Sequence, residues 1–133
     1  MIYILTVNYY STKLISKLIN SLPVEENIDY KTIIINNSPD DNFIRELNNE
    51  SVQVLHPGYN MGFGRACNYG MKWIYSQDSQ AVVWIINPDA YLSNNSLEKV
   101  NRFFHSYPEI SILGTIIHTP KDEIWFAGGS FIP

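Results

Sequence analysis

Apolar residues alternate along this chain between short continuous runs and helical stripes. Residues 2–7, 31–35 and 52–55 are short runs rich in Ile and Val, which predict strands. Residues 81–86 (AVVWII) are all apolar and predict a strand buried on both faces. The intervening segments follow a period near 3.6. Residues 12–22 place Leu14, Ile15, Leu18, Ile19 and Leu22 on one helical face, with Pro23 as a stop. Residues 41–47 predict a short helix with Phe43, Ile44 and Leu47 inward. Residues 63–75 predict another, with Phe63, Ala66, Cys67, Gly70 and Ile74 on one side. Asn95 with Glu98 resembles a capping box. The helix behind it turns Leu97, Val100, Phe103, Phe104 and Tyr107 inward and ends at Pro108. Two β-rich runs follow, 110–117 and 123–127, around the turn Pro120-Lys121-Asp122.

This order, β-α-β-α-β-α-β-α-β-β, predicts an α/β, Rossmann-like fold: a mainly parallel sheet with helices on both faces. Right-handed crossovers then bring every strand-to-helix loop to one edge, where open α/β sheets bind ligands. Those loops hold Asn8 and Tyr9, Asn36 and Asn37, residues 56–62, and Asn87-Pro88-Asp89. An Asn amide offers donors and an acceptor without charge. Four such residues on one edge suit a base, a ribose and a hydrated phosphate better than acid/base catalysis. The plain alternative is that Asn caps turns and helices. Asp89 puts one carboxylate at a strand end. Mg²⁺ is commonly held by one or two carboxylates, with substrate phosphates completing its shell. Mg²⁺ or Mn²⁺ is therefore the expected cofactor, and an ordinary polar turn the alternative.

Length and composition narrow the classes. The 133 residues are expected to form one domain over 1–133. Hydrophobic content is 45% and charged content 17%, as in a globular chain. The net charge is −4 and the nine Lys and Arg are scattered, so no nucleic-acid partner is expected. No apolar stretch approaches the length of a membrane span, and no leader pattern is evident. The lone Cys67 fits a reducing compartment, hence a cytoplasmic location, with peripheral attachment at the inner membrane surface left open. His56, His105 and His118 are far apart, without metal-ligand spacing, and read as structural or surface residues.

The segment from Asn60 to Gly70 (NMGFGRACNYG) is rich in small residues. Gly64 and Gly70 fall within a helical pattern, each costing about 1 kcal/mol relative to Ala. Small residues there let a helix pack closely on a sheet or let a ligand approach. The helix start near Gly62 to Arg65 is a natural anion site. The stretch is not the dinucleotide fingerprint, because Cys67 stands where the third glycine belongs.

Together these residues resemble family 2 glycosyltransferases of the GT-A fold, especially bacterial rhamnosyltransferase-like members. The resemblance covers essentially the whole chain. It rests on Val7-Asn8-Tyr9, Ile35-Asn36-Asn37 with Asp41, Asn60 to Gly70, Ile86-Asn87-Pro88-Asp89-Ala90, and Trp125-Phe126-Ala127-Gly128-Gly129. It implies an inverting, metal-dependent transfer from a nucleotide-sugar (dTDP- or UDP-linked, with dTDP-rhamnose as one candidate) to a glycan or lipid-linked acceptor in polysaccharide synthesis. By resemblance, Asn8 and Asn36 lie by the base, Asn60, Gly62 and Asn68 by the diphosphate, and Tyr9, Asn37 and Asn87 also belong to the nucleotide site. Asn87 and Asp89 occupy the acidic motif, with Asp89 the metal ligand. Trp125, Gly128 and Gly129 lie on the donor and acceptor side. The chain departs from the family in carrying Asn36 for Asp, Cys67 for Arg, and Asn87 for the first Asp of the motif. The family's general base lies well beyond the Gly-Gly pair, whereas this chain stops at Pro133. Weak or absent transfer by this chain alone is therefore an expectation, with a non-catalytic nucleotide-sugar-binding domain as the alternative. Late strands left without cover make a homodimer a further expectation.

Overall fold

The computed structural model describes residues 1–22 and 28–129. The chain separates into two compact units, divided between Asn101 and Arg102. The first unit is built on four parallel strands in the order β3-β2-β1-β4. These are β1 (Ile2–Asn8), β2 (Tyr30–Asn36), β3 (Val52–Leu55) and β4 (Val82–Ile85). β1 lies between β2 and β4 and is buried along its whole length. Its register with β2 aligns Ile2 with Tyr30 and Asn8 with Asn36, so two Asn residues end adjacent strands side by side.

Alternation along the strands supplies two apolar faces. On one, Tyr3, Leu5, Val7, Ile33 and Ile35 pack with Ala66, Cys67 and Ile74 of helix α2 (Phe63–Gln77). On the other, Ile34, Val52 and Val54 pack with Ile15 of helix α1 (Thr12–Ser21) and with Ile44. Helices thus cover both faces, as the alternating order requires. The small-residue stripe of α2 has a steric cause. A Cβ added to Gly70 would meet Leu5 Cδ1 at 2.5 Å and Ile35 Cδ1 at 3.1 Å. Helix α3 (Ser96–Ser106) buries Leu97 and Val100. The helix stop expected at Pro23 lies outside the described residues.

Several details depart from the sequence expectation. Residues 42–47 form a 3₁₀ helix rather than an α-helix. With three residues per turn, Ile44 and Leu47 align on the packed side, and Phe43 rotates away to 70% exposure. β4 is not buried on both faces. It is the edge strand of the described sheet, and Ile85 is 41% exposed. Leu14 and Phe63 are exposed too, and Met61 packs against the α2 core cluster instead of Phe63. Tyr107 lies past the end of α3 and is exposed.

In the second unit, only Ile117–His118 of the run 110–117 forms a strand (β5), paired antiparallel with β6 (Ile124–Phe126). The turn between them is as expected. Thr119 N donates to Glu123 O, Asp122 N donates to Thr119 O, and Asp122 adopts φ 61°, the left-handed corner of a short hairpin loop. Phe103, Phe104 and Tyr107 form an edge-to-face and tilted ring cluster within this unit.

Candidate functional site

The strand order reverses beside β1. From β1 the chain winds outward to β2 and β3, then crosses back to place β4 on the other side. Such a reversal opens a crevice at the carboxyl ends of the two strands that flank it. Here those strands are β1 and β4, ending at Asn8 and at the Asn87-Pro88-Asp89 turn. Ile86 N donates to Leu5 O at 2.9 Å, and Ala90 N closes the turn on Asn87 O at 3.1 Å. Asn87 and Asp89 are both exposed.

The floor of this edge is a closed polar network. Asn8 is fully buried. Its Nδ2 donates to Asn36 Oδ1 at 3.0 Å and to Asp41 Oδ2 at 3.1 Å, and its Oδ1 accepts from Ser11 N at 2.9 Å. Asn36 Oδ1 also accepts from Ser38 N at 3.0 Å, and Asn36 Nδ2 lies 3.3 Å from His56 Nδ1. Thr12 Oγ1 donates to Asp41 Oδ2 at 2.8 Å. Burial pushes the Asp41 carboxyl up. The bonds from Thr12 and Asn8, with the backbone N–H groups of Phe43 and Ile44, outweigh this and hold it below its usual 3.8. Asn8 is thus committed to protein partners. It ties the ends of β1 and β2 to the start of α1 and the 3₁₀ helix.

Asn37 is buried as well and reaches the next loop. Its Nδ2 donates to Gly62 O at 3.2 Å, and its Oδ1 accepts from Met61 N at 3.3 Å. Asn60 Oδ1 accepts from Gly62 N at 2.9 Å. Gly62 caps α2 at φ 77°, ψ 167°, a region open essentially to glycine alone. The first turn of α2 then begins with Phe63, and no atom stands within 4 Å of a Cβ built on Gly64. Free N–H groups and the helix dipole make this open start favourable to an anion. Asn68, one turn further on, is exposed. It lines a shallow groove of about 250 Å³ with Met61, Arg65, Tyr69 and Lys72.

Tyr9 follows β1 with 59% exposure, its ring edge-to-face with Tyr10 at 5.0 Å. Tyr10 is tied down. Its N donates to Ser38 Oγ at 2.8 Å, its hydroxyl donates to Asp40 at 2.7 Å, and its φ is 49°. The bond to Asp40, then burial and nearby charge, raises the Tyr10 phenol above its usual value. Tyr9 is therefore free to stack while its neighbour anchors the loop.

Among the described residues, no three His, Cys, Asp or Glu converge to hold a metal. Asp89 offers a single exposed carboxylate. This donor set fits a cation that takes most of its ligands from substrate phosphate and water. In the second unit, Trp125 is 72% exposed, and Gly128 and Gly129 are exposed, with Gly128 at φ 102°. Two residues of the edge were not singled out as ligand-facing by the sequence reading: Asp41, quoted only within a motif, and His56. The signal for His56 was its place directly after β3, on the same edge as the Asn residues.

Comparison with curated proteins gave no match. Among solved structures, the fold is similar to residues 1–349 of S. aureus TarS, at TM-score 0.63 and 20% identity. That match covers 80% of this chain and 33% of that one. It is similar also to the same TarS segment in complex with UDP-GlcNAc, at TM-score 0.64 and 18% identity, over 80% and 32%. The chain thus spans about a third of the solved relatives it matches, and its parallel sheet and helices match the GT-A arrangement. No helix among the described residues is long and apolar enough to cross a membrane. The family signature for "Glycosyl transferase family 2" runs through residues 2–131, from the first residue of β1 past the Gly-Gly pair, and the chain belongs to that family.

Proposed function

We propose that this chain binds the nucleoside diphosphate of a dTDP- or UDP-sugar along the carboxyl edge of the sheet, from the end of β3 to the crevice between β1 and β4. It would serve as the donor-binding part of an inverting glycosyltransferase acting on a glycan or lipid-linked acceptor. The observation that carries the reading is the reversal of strand order between Asn8 and Asp89, with an open helix start at Gly62 on the same edge. Tyr9 supplies a ring face for the base. Asn60 and the first turn of α2 receive the diphosphate, with Asn68 beside them. Asn8, Asn36 and Asn37 hold the loops that do this. Asp89, with Asn87 beside it, would hold Mg²⁺ or Mn²⁺. A bound cation there stabilises charge on the departing diphosphate. dTDP-rhamnose is the donor the sequence resemblance favours. That TarS was solved with UDP-GlcNAc supports a nucleotide-sugar as the donor class, and the two donors differ in base and sugar.

The test is calorimetric titration of UDP, dTDP and GDP with Mg²⁺, with Mn²⁺ and with chelator. The expected result is saturable binding of UDP or dTDP that weakens on chelation. Absence of binding for all three would overturn the reading.

A further inference from the structure

Asn36 ends β2 but is only 2% exposed, so its side chain is nearly sealed from a ligand. One of its contacts is His56, exposed just past the end of β3, where the register sets Ile35 beside Leu55. Hydrogen-bond direction can be followed from one to the other. A backbone N–H only donates, so Ser38 N identifies the atom it meets as Asn36 Oδ1, and this fixes the amide's orientation. Asn8 Nδ2 meets the same Oδ1, itself fixed because Asn8 Oδ1 takes Ser11 N. Asn36 therefore turns its N–H toward His56 Nδ1 at 3.3 Å. Nδ1 must accept, so the neutral ring carries its proton on Nε2.

We infer that His56, through this Nε2–H, is the specificity-determining residue for the nucleotide base. It selects a base that presents a carbonyl oxygen, uracil or thymine, over one that presents an amino group, cytosine. The inference rests on the nucleotide reading of this edge. Asn36 is its positioning residue. Protonation of Nδ1 would set two N–H donors against each other. Asn36 cannot turn over to relieve this without aiming its NH₂ at Ser38 N and Asn8 Nδ2. The surroundings oppose protonation as well. Partial burial, then the Arg45 charge on the 3₁₀ helix, holds His56 below its usual 6.5. Asp41, the nearest carboxylate in the network, lies beyond Asn8 and is bonded there.

The experiment has two arms. Long-range ¹H–¹⁵N NMR of the wild type, without nucleotide, should show the Nε2–H tautomer of His56. An Nδ1–H tautomer would overturn the inference. Affinities for UDP and CDP are then measured between pH 5 and 8 for wild type, His56→Ala and His56→Gln. His56 is exposed, so both variants should fold. The UDP preference should fall by about tenfold in His56→Ala, the worth of one hydrogen bond. It should weaken in the wild type as His56 protonates, and lose that pH dependence in His56→Gln, whose amide can accept from Asn36 and still donate. An unchanged preference in His56→Ala, with nucleotide still bound, would overturn this inference alone. Failure of wild type to bind UDP and CDP would overturn this inference, and failure to bind UDP, dTDP and GDP would overturn the proposed function with it.

Discussion

Gly70 stands so close to Leu5 that a single added carbon would sit 2.5 Å from the Leu5 Cδ1. Both residues are buried, and Ile35 closes the other side at 3.1 Å. Gly64, on the same helix, has open space where its Cβ would be. The two glycines should therefore respond oppositely to substitution. Gly70→Leu should destabilise by about 1–3 kcal/mol or more, through overpacking against β1. Gly64→Ala should stabilise by about 0.5–1 kcal/mol, through helix propensity alone. Thermal or urea unfolding of both variants checks this. A Gly70→Leu variant as stable as the parent would show that α2 can move off the sheet.

The part-buried bond from Asn8 to Asp41 makes a second case. Asn8→Ala removes three hydrogen bonds and leaves Ser11 N without its side-chain acceptor. A loss of about 1–3 kcal/mol is expected, the cost of leaving buried polar groups unpaired. Urea unfolding with an unchanged m-value would assign that loss to the native state. A change below about 0.5 kcal/mol would mean that water replaces the Asn8 amide.

Acid should weaken the fold in two steps. Both His56 and Asp41 have pKa values lowered in the folded chain. In each case the unfolded chain takes up its proton first as pH falls, so stability falls with pH. The His56 contribution begins to be lost below its unfolded value of about 6.5, and the Asp41 contribution below about 4. Asp41→Asn should keep the first step and flatten the second. His56→Gln should do the reverse. Unfolding free energies measured between pH 7 and 3 decide this, and identical profiles for all three proteins would contradict it.

Strand positions could be read from sequence because apolar runs such as 2–7 and 31–35 admit few other readings in a polar context. Their place in the sheet could not. The run 81–86 looks the same whether its strand is central or at an edge, and only the order β3-β2-β1-β4 makes it an edge. Phe43 was misplaced because six residues do not separate a period of 3.6 from one of 3.0. The Asn residues at the strand ends were recognisable as polar groups on one edge. That Asn8 and Asn36 would satisfy each other depends on the register between β1 and β2, which no spacing encodes. His56 was passed over for the same reason. Its partner lies twenty residues away, on the neighbouring strand.

The last prediction concerns Asp89. It is an exposed carboxylate at the reversal of the sheet, and among the described residues it belongs to no group of three or more His, Cys, Asp or Glu that could hold a metal. A cation held there would depend on the diphosphate for the rest of its shell. Metal and nucleotide should therefore bind together, each tightening the other by the same factor, as linkage requires. Metal alone should bind weakly. Asp89→Ala should leave the metal-free affinity for nucleotide within about twofold and abolish most of the metal-dependent gain, which is expected at about tenfold or more. Because Asp89 is exposed, its removal should alter stability by no more than about 0.5 kcal/mol, so a binding defect would not be a folding defect. Calorimetric titrations of wild type and Asp89→Ala, with Mn²⁺ and with chelator, measure all four corners of this cycle. Equal metal-dependent gains in both proteins would reduce Asp89 to a turn residue and move the cation elsewhere.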